Sequence, residues 1–242
     1  MCTCQRGVYI ERVLALVRPT APLALTLLAF GCSGGESRQV LPIREDFSEC
    51  PAPLISDEIE NTCMNEELRV LFKDADRLST NYFPVRLPRS MGSVAIETDV
   101  VLHGVSDSAA KPRLVAGGTA CVASDVDEPE RGYEFLVMPE IHGFGIILLD
   151  EKDKALRSLR YTKPLYLRSS ETVKGVGAVN RVRGECHSSN GAVQLTMFVN
   201  GEEVAHSTDS RFMSFEQVSI QATSTADGAD IRFDNFLAEQ IE

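Results

Sequence analysis

The chain has 242 residues, with 24 Lys and Arg against 35 Asp and Glu, a net charge of −11 at neutral pH and a hydrophobic fraction of 43%. That balance disfavours nucleic acid, whose phosphates recruit Lys and Arg to displace counterions, and it equally disfavours adhesion to anionic headgroups. The apolar content is ample for a packed core, which excludes a largely disordered chain, and no basic run or internal repeat stands out.

The first element is a leader. Arg6, Arg12 and Arg18 precede an apolar stretch from Leu23 to Phe30, the basic and hydrophobic regions of an export signal. A membrane span needs about 20 apolar residues, and Arg18, Pro19 and Pro22 interrupt this one. The stretch ends in Leu28-Ala29-Phe30-Gly31-Cys32-Ser33-Gly34-Gly35. This run resembles the lipobox of bacterial lipoproteins: Leu28, Gly31 and Cys32 match, while Ala29 stands where Leu is commoner. The resemblance implies that residues 1–31 are a signal peptide and that Cys32 is lipidated and becomes the first residue of the mature protein. It also implies attachment to the membrane outside the cytoplasm, in the cell envelope. Ser33, rather than Asp, resembles the form sent on to the outer membrane where the host has two membranes. A single acyl chain binds only marginally, so durable anchoring takes more than one; the lipoprotein family supplies three.

Residues 32–42 read as the lipidated cysteine and a small, polar tether, and residues 43–242 as one domain. Cys50, Cys63, Cys121 and Cys186 remain after the leader cysteines and Cys32 are set aside, and an even count in an exported chain reads as two disulfides. Three pairings are open. The favoured pairing is Cys50 with Cys63, which closes a short Pro-containing loop, and Cys121 with Cys186, which links two strand-like runs. A zinc site is disfavoured because no Cys-x-x-Cys or nearby His pair exists.

From Val94 to Leu102 apolar and polar residues alternate, Val94, Ile96, Thr98, Val100 and Leu102 on one side and Ala95, Glu97, Asp99 and Val101 on the other, the period of a half-buried strand. Similar runs recur at 67–72, 114–123, 132–138, 144–149, 179–186, 193–199, 217–222 and 231–238. Asn200-Gly201 is a hairpin signal, because both residues tolerate positive φ, and Asp227-Gly228 is expected to join the last two strands in the same way. Helical periodicity is weak throughout, so the chain reads as all-β, a two-sheet antiparallel sandwich.

An opening strand at Asp46-Phe47-Ser48, Gly132-Tyr133-Glu134-Phe135, Asn180-Arg181-Val182-Arg183 leading to Cys186, Phe198-Val199-Asn200-Gly201 and the closing Arg232-Phe233-Asp234-Asn235-Phe236 carry a second resemblance. From Ile43 to Ile241 the chain resembles the concanavalin A-like, laminin-G-like jelly rolls of exported bacterial proteins. The resemblance implies a first strand paired with the last, a structural calcium near Asp46 and Asp234, and a carbohydrate ligand. It speaks to fold more than to function.

Glu97 and Asp99 share one strand face, as the catalytic carboxylates of glycoside hydrolases of this fold do. That chemistry needs a second glutamate close by, and Val101 and Leu102 occupy its positions. The pair therefore reads more simply as the polar face of a strand, with His103 a loop residue beyond it. Phe233 and Phe236 both face the core only if a bulge falls at Asp234-Asn235, which would turn Asp234 inward towards calcium or leave it capping the bulge. Trp is absent, and Tyr82, Tyr133, Tyr161 and Tyr166 are the tyrosines beyond the leader. The loop that carries Tyr161, Lys163 and Tyr166 offers the candidate ligand-binding aromatics, Tyr161 and Tyr166. His142, His187 and His206 have no partnered nucleophile, and there is no Gly-x-Ser-x-Gly elbow. The reading is a lipid-anchored binding or structural module with a glycan or an envelope protein as partner. Its rivals are a hydrolase with an acid pair displaced to Glu128, Glu130 or Glu140, and a protein-binding scaffold with an exposed apolar patch.

Overall fold

Among the described residues, alternating side chains and short turns give strands with hardly any helix. The computed structural model describes residues 41–48, 59–73, 79–105, 114–124, 131–150 and 162–242. The leader with Cys32, the tether as far as residue 40, and Cys50, Glu128, Glu130 and Tyr161 lie outside the described residues. Among the described residues no helix is long and apolar enough to cross a membrane.

The strands are β1 (Ile43–Glu45), β2 (Ile59–Met64), β3 (Glu67–Phe72), β4 (Ser79–Met91), β5 (Ser93–Gly104), β6 (Val115–Val122), β7 (Arg131–Met138), β8 (Gly143–Asp150), β9 (Thr162–Ser169), β10 (Asn180–Ser189), β11 (Ala192–Val199), β12 (Glu202–Asp209), β13 (Phe215–Ser224) and β14 (Ala229–Glu239). They form two antiparallel sheets. The eight-stranded sheet runs β12-β11-β10-β5-β14-β3-β2, and the six-stranded sheet runs β4-β13-β6-β7-β8-β9. The first strand pairs with the last: β1 lies against Phe236–Ala238 of β14, end to end with β3 on the same edge.

The sandwich interior is fixed by contacts between the sheets. Cys121 of β6 and Cys186 of β10 are joined by a buried disulfide, as the sequence pattern led us to expect. Cys63 is also disulfide-bonded, and its expected partner Cys50 lies outside the described residues. Gly184 of β10 sits beneath the Phe135 ring of β7, where a Cβ would overlap ring carbons, and a Cβ on Gly117 of β6 would press on Val100, Ile231 and Phe233. Val218, Ile220, Tyr133, Val137, Phe144, Ile146 and Leu148 of the six-stranded sheet join the same core as Val94, Ile96, Val182, Leu195 and Phe233 of the other. At one end Asn81 of β4 donates to Asn61 of β2 across the interior, 2.6 Å.

Three expectations are corrected. Asp46-Phe47-Ser48 is not the opening strand: Phe47 has φ 54° and ends the extended run after Glu45, although its ring is buried. Asp227-Gly228 makes a turn, with Gly228 at φ 68°, but no hairpin, because β13 and β14 belong to different sheets. The Gly228 N–H instead donates to the carbonyl of Phe72. The segment around Tyr166 is strand β9 rather than a loop; Pro164 is tolerated there because β9 is an edge among the described strands.

Candidate functional site

Because β6, β7, β8 and β13 send one set of side chains into the core, the alternate set lines the outer face of the six-stranded sheet. On β13 that set is polar: Gln217, Ser219, Gln221 and Thr223, all buried. On β6 it is small: Ala116, Gly118 and Ala120. On β7 it is Glu134, Leu136 and Met138, and on β8 it is Gly143, Gly145 and Ile147. Tyr82, Pro84 and Arg86 of β4 stand opposite Gln221, Ser219 and Gln217. The register brings these into lines across the sheet. One runs Tyr82, Gln221, Gly118, Leu136, Gly145, Leu167, and the next runs Pro84, Ser219, Ala120, Glu134, Ile147, Pro164. The small residues of β6 thus lie between a row of amides and hydroxyls on β13 and a largely apolar row on β7 and β8, and the residues of β13, β6 and β7 on this face are buried. Gly118 has no room for a larger residue, since a Cβ would collide with the Phe135 carbonyl.

The polar wall is half satisfied. The Gln217 amide donates through Nε2 to the Ser124 carbonyl at 2.7 Å, and Gln221 donates through Nε2 to Ser219 Oγ at 3.4 Å. Their carbonyl ends, Gln217 Oε1 and Gln221 Oε1, have no hydrogen-bond partner, although the residues are only 3% and 0% exposed. Buried acceptors are almost always paired, and leaving one unpaired costs about 1–3 kcal/mol. The two lie roughly 13 Å apart along one strand face at about 3.3 Å per residue. Chemically the wall offers acceptors to hydroxyl or amide donors. The lines across the sheet contain one carboxylate, Glu134, whereas acid-catalysed glycoside hydrolysis uses two about 5 Å apart.

The sequence-derived candidates lie elsewhere. Glu97 and Asp99 project from the outer face of the eight-stranded sheet, where Arg181 clamps Asp99 through Nε at 2.8 Å and Nη2 at 3.0 Å and lies 3.8 Å from Glu97. Asn235 Nδ2 donates to Asp99 Oδ2 at 2.9 Å. Burial works against the Asp99 charge, but the hydrogen bonds from Arg181 and Asn235 and the charges of Arg181 and Lys174 outweigh it and hold the carboxyl below its ordinary range. A carboxylate so neutralised is a structural anchor, not an acid or a nucleophile. His103 is exposed at the end of β5 and Glu140 is exposed on a short 3-10 turn. His142 donates through Nδ1 to the Val173 carbonyl, while His187 pairs with Ser93 and His206 with Thr196. The three sit on separate elements.

The bulge expected in β14 is present: the register slips between Asp234 and Leu237, Asn235 has φ 53°, and Phe233 and Phe236 are both buried. Asp234 caps it, accepting from the Asn235 N–H at 2.6 Å and from Asn235 Nδ2 at 3.1 Å. Asp46 is exposed past β1 and accepts from the Ser48 N–H, and hydrogen bonds from Ser48 lower its pKa. Both carboxylates are committed to local caps. Among the described residues no group of three or more His, Cys, Asp or Glu gathers that could hold a metal ion. Tyr166 is half-buried, its ring stacked on Phe144 at 5.9 Å and packed against the core, with the Arg168 guanidinium over it. Tyr133 is wholly buried; its hydroxyl donates to Asp209 and accepts from the Phe212 N–H, and burial first, with the Asp209 bond second, raises its pKa. The Gln217-Ser219-Gln221-Thr223 wall was missed by looking for aromatics and carboxylates. Its signal was the strict alternation with Val218, Ile220 and Ala222.

No protein-family model matches the sequence, and no curated protein gives a significant match. Among solved structures the chain is similar to carbohydrate binding module CBM66 from Bacillus subtilis, with TM-score 0.47 and 13% identity over 78% of this chain and 91% of that one. It is also similar to a legume lectin-like domain from Entamoeba histolytica, with TM-score 0.43 and 12% identity over 83% and 90%. A third is the Emp46p carbohydrate recognition domain in its metal-free form, with TM-score 0.46 and 9% identity over 78% and 85%. The sandwich assignment itself rests on sheet order and register.

Proposed function

We propose that residues 43–242 are a glycan-binding module, held in the cell envelope by a lipidated Cys32 at the end of a short tether, residues 32–42, after removal of residues 1–31. The observation that carries the binding role is the pair of buried, unpartnered carbonyl oxygens of Gln217 and Gln221 on the outer face of the six-stranded sheet, beside the small residues Ala116, Gly118 and Ala120. A ligand with several hydroxyl donors satisfies those acceptors, the kind of precisely placed polar group by which small-molecule sites fix orientation. The buried Cys121–Cys186 disulfide accords with an oxidising compartment, and the Leu28 to Gly35 run supports the anchor.

Isothermal titration with a panel of neutral oligosaccharides, with and without calcium, tests the binding role. At least one glycan binds the wild type, and Gln221→Leu weakens it ten-fold or more. The same variant melts at or above the wild-type temperature, because leucine removes an unpaired buried acceptor. Unchanged affinity in Gln221→Leu would overturn the assignment of the site, and cleavage products in the same reactions would favour the hydrolase. Mass spectrometry of protein from the envelope fraction tests the anchor: the account expects an acylated Cys32 as first residue, and an intact leader would refute it.

A further inference from the structure

Two Asn-Gly pairs occur in the chain, Asn190-Gly191 and Asn200-Gly201, and each is the two-residue turn of a hairpin, the first between β10 and β11 and the second between β11 and β12. Their backbones match: φ is 52° and 80° in the first and 53° and 86° in the second, the left-handed pair that such a tight turn demands. At neither glycine would a Cβ meet anything within 4 Å. The asparagine side chains differ. Asn200 is half-buried and held at both ends of its amide: Nδ2 donates to the Thr172 carbonyl at 2.7 Å and to Asn180 Oδ1 at 3.3 Å, and Oδ1 accepts from the Arg181 N–H at 3.0 Å. Asn190 is exposed, and among the described residues its side chain has no hydrogen-bond partner.

An asparagine amide is lost when the main-chain nitrogen of the next residue attacks it, which needs a side chain free to swing onto that nitrogen and a following residue with no Cβ in the way. We propose that Asn190 is a site of spontaneous covalent modification, deamidation through a succinimide, and that the fold protects Asn200 from the same reaction. The Gly191 nitrogen gives up its proton and bonds to Asn190 Cγ, the Cγ–Nδ2 bond breaks, and Nδ2 leaves as ammonia. Water then opens the ring, at Cγ to give aspartate or at the main-chain carbonyl to give isoaspartate; no oxidant or reductant takes part. Either product carries a carboxylate where the amide was, and isoaspartate also lengthens the main chain by a carbon in the turn between β10 and β11. At Asn200 the amide must first leave its three partners, so the reaction there is slower by about ten-fold or more.

Both asparagines fall in one tryptic peptide, residues 184–211, so fragment spectra compare them within the same molecules. The purified full chain is held in mildly alkaline buffer, native and in concentrated urea, and that peptide is followed over time. In the native chain Asn190 converts to aspartate and isoaspartate faster than Asn200 by about ten-fold or more. In urea the two convert at similar rates, because the fold no longer holds the Asn200 amide. Asn190→Ser, at an exposed turn position, removes the acidic species that ion exchange resolves in aged native protein. If Asn200 keeps pace with Asn190 in the native chain, the protection is wrong. If Asn190 stays intact over the time in which the urea sample converts, the site is wrong, and an acidic species that persists undiminished in Asn190→Ser would equally overturn it.

Discussion

Asp99 illustrates how far a side chain's surroundings decide its role. On paper it is half of a carboxylate pair; in the fold it accepts two hydrogen bonds from Arg181 and one from Asn235. Its pKa is lower in the folded than in the unfolded chain, so the stabilisation it supplies is complete above the unfolded value of about 3.9 and is lost as pH falls through the folded value. Asp99→Asn is expected to lower stability by about 1.5–3 kcal/mol at pH 7, the range for hydrogen bonds to charged groups, and the gap to wild type narrows as acid protonates the carboxyl. Urea denaturation at neutral and at acid pH measures this; an equal gap at both would mean that the Asp99 charge does not stabilise the fold. The same residue scale explains why the site was hard to foresee. Gln217 and Gln221 resemble any exposed strand amides in the sequence, and only the burial of their unpartnered carbonyl oxygens distinguishes them.

At the scale of elements, period-two alternation located β5, β10, β11, β13 and β14, and the Asn200-Gly201 hairpin between β11 and β12 formed with φ of 53° and 86°. Strands β4 and β9 were not legible because Pro84, Pro88 and Pro164 argue against central strands. Both are edges, where a missing N–H is harmless and discourages further pairing. The bulge in β14 was legible from the spacing of Phe233 and Phe236 alone. Asn235→Gly keeps the positive φ there but loses the amide bond to Asp99, so about 1 kcal/mol is lost. Asn235→Ala adds the left-handed penalty of about 1–2 kcal/mol. Chemical denaturation ranks the two, and an alanine variant as stable as the glycine one would contradict this account of the bulge. Gly184→Ala forces a methyl against Phe135 and is expected to cost about 1–3 kcal/mol or more.

Across the whole molecule the two outer faces divide the labour. That of the eight-stranded sheet is tied down by ion pairs, Arg69 with Asp230, Arg183 with Glu185 and Glu239, and Arg232 with Glu67. The opposite face keeps unpaired acceptors and exposed hydrophobes. Between them the Cys121–Cys186 bridge spans 65 residues of sequence and links the two sheets. Chain-entropy arguments give such a loop about 4 kcal/mol, so Cys121→Ala with Cys186→Ala should melt well below the wild type. A double variant that melts with wild type would show the bridge to be dispensable.

The claim on which the functional account turns is that ligand lies on the outer face of the six-stranded sheet. Amide-resolved NMR during titration with the tightest-binding glycan tests it most directly. The account predicts that the side-chain amide signals of Gln217 and Gln221 and the methyl signals of Leu136 move together and saturate at one stoichiometry. Shifts confined to the outer face of the eight-stranded sheet, around Arg181, Arg183 and Glu239, with Gln217 and Gln221 unmoved, would contradict it.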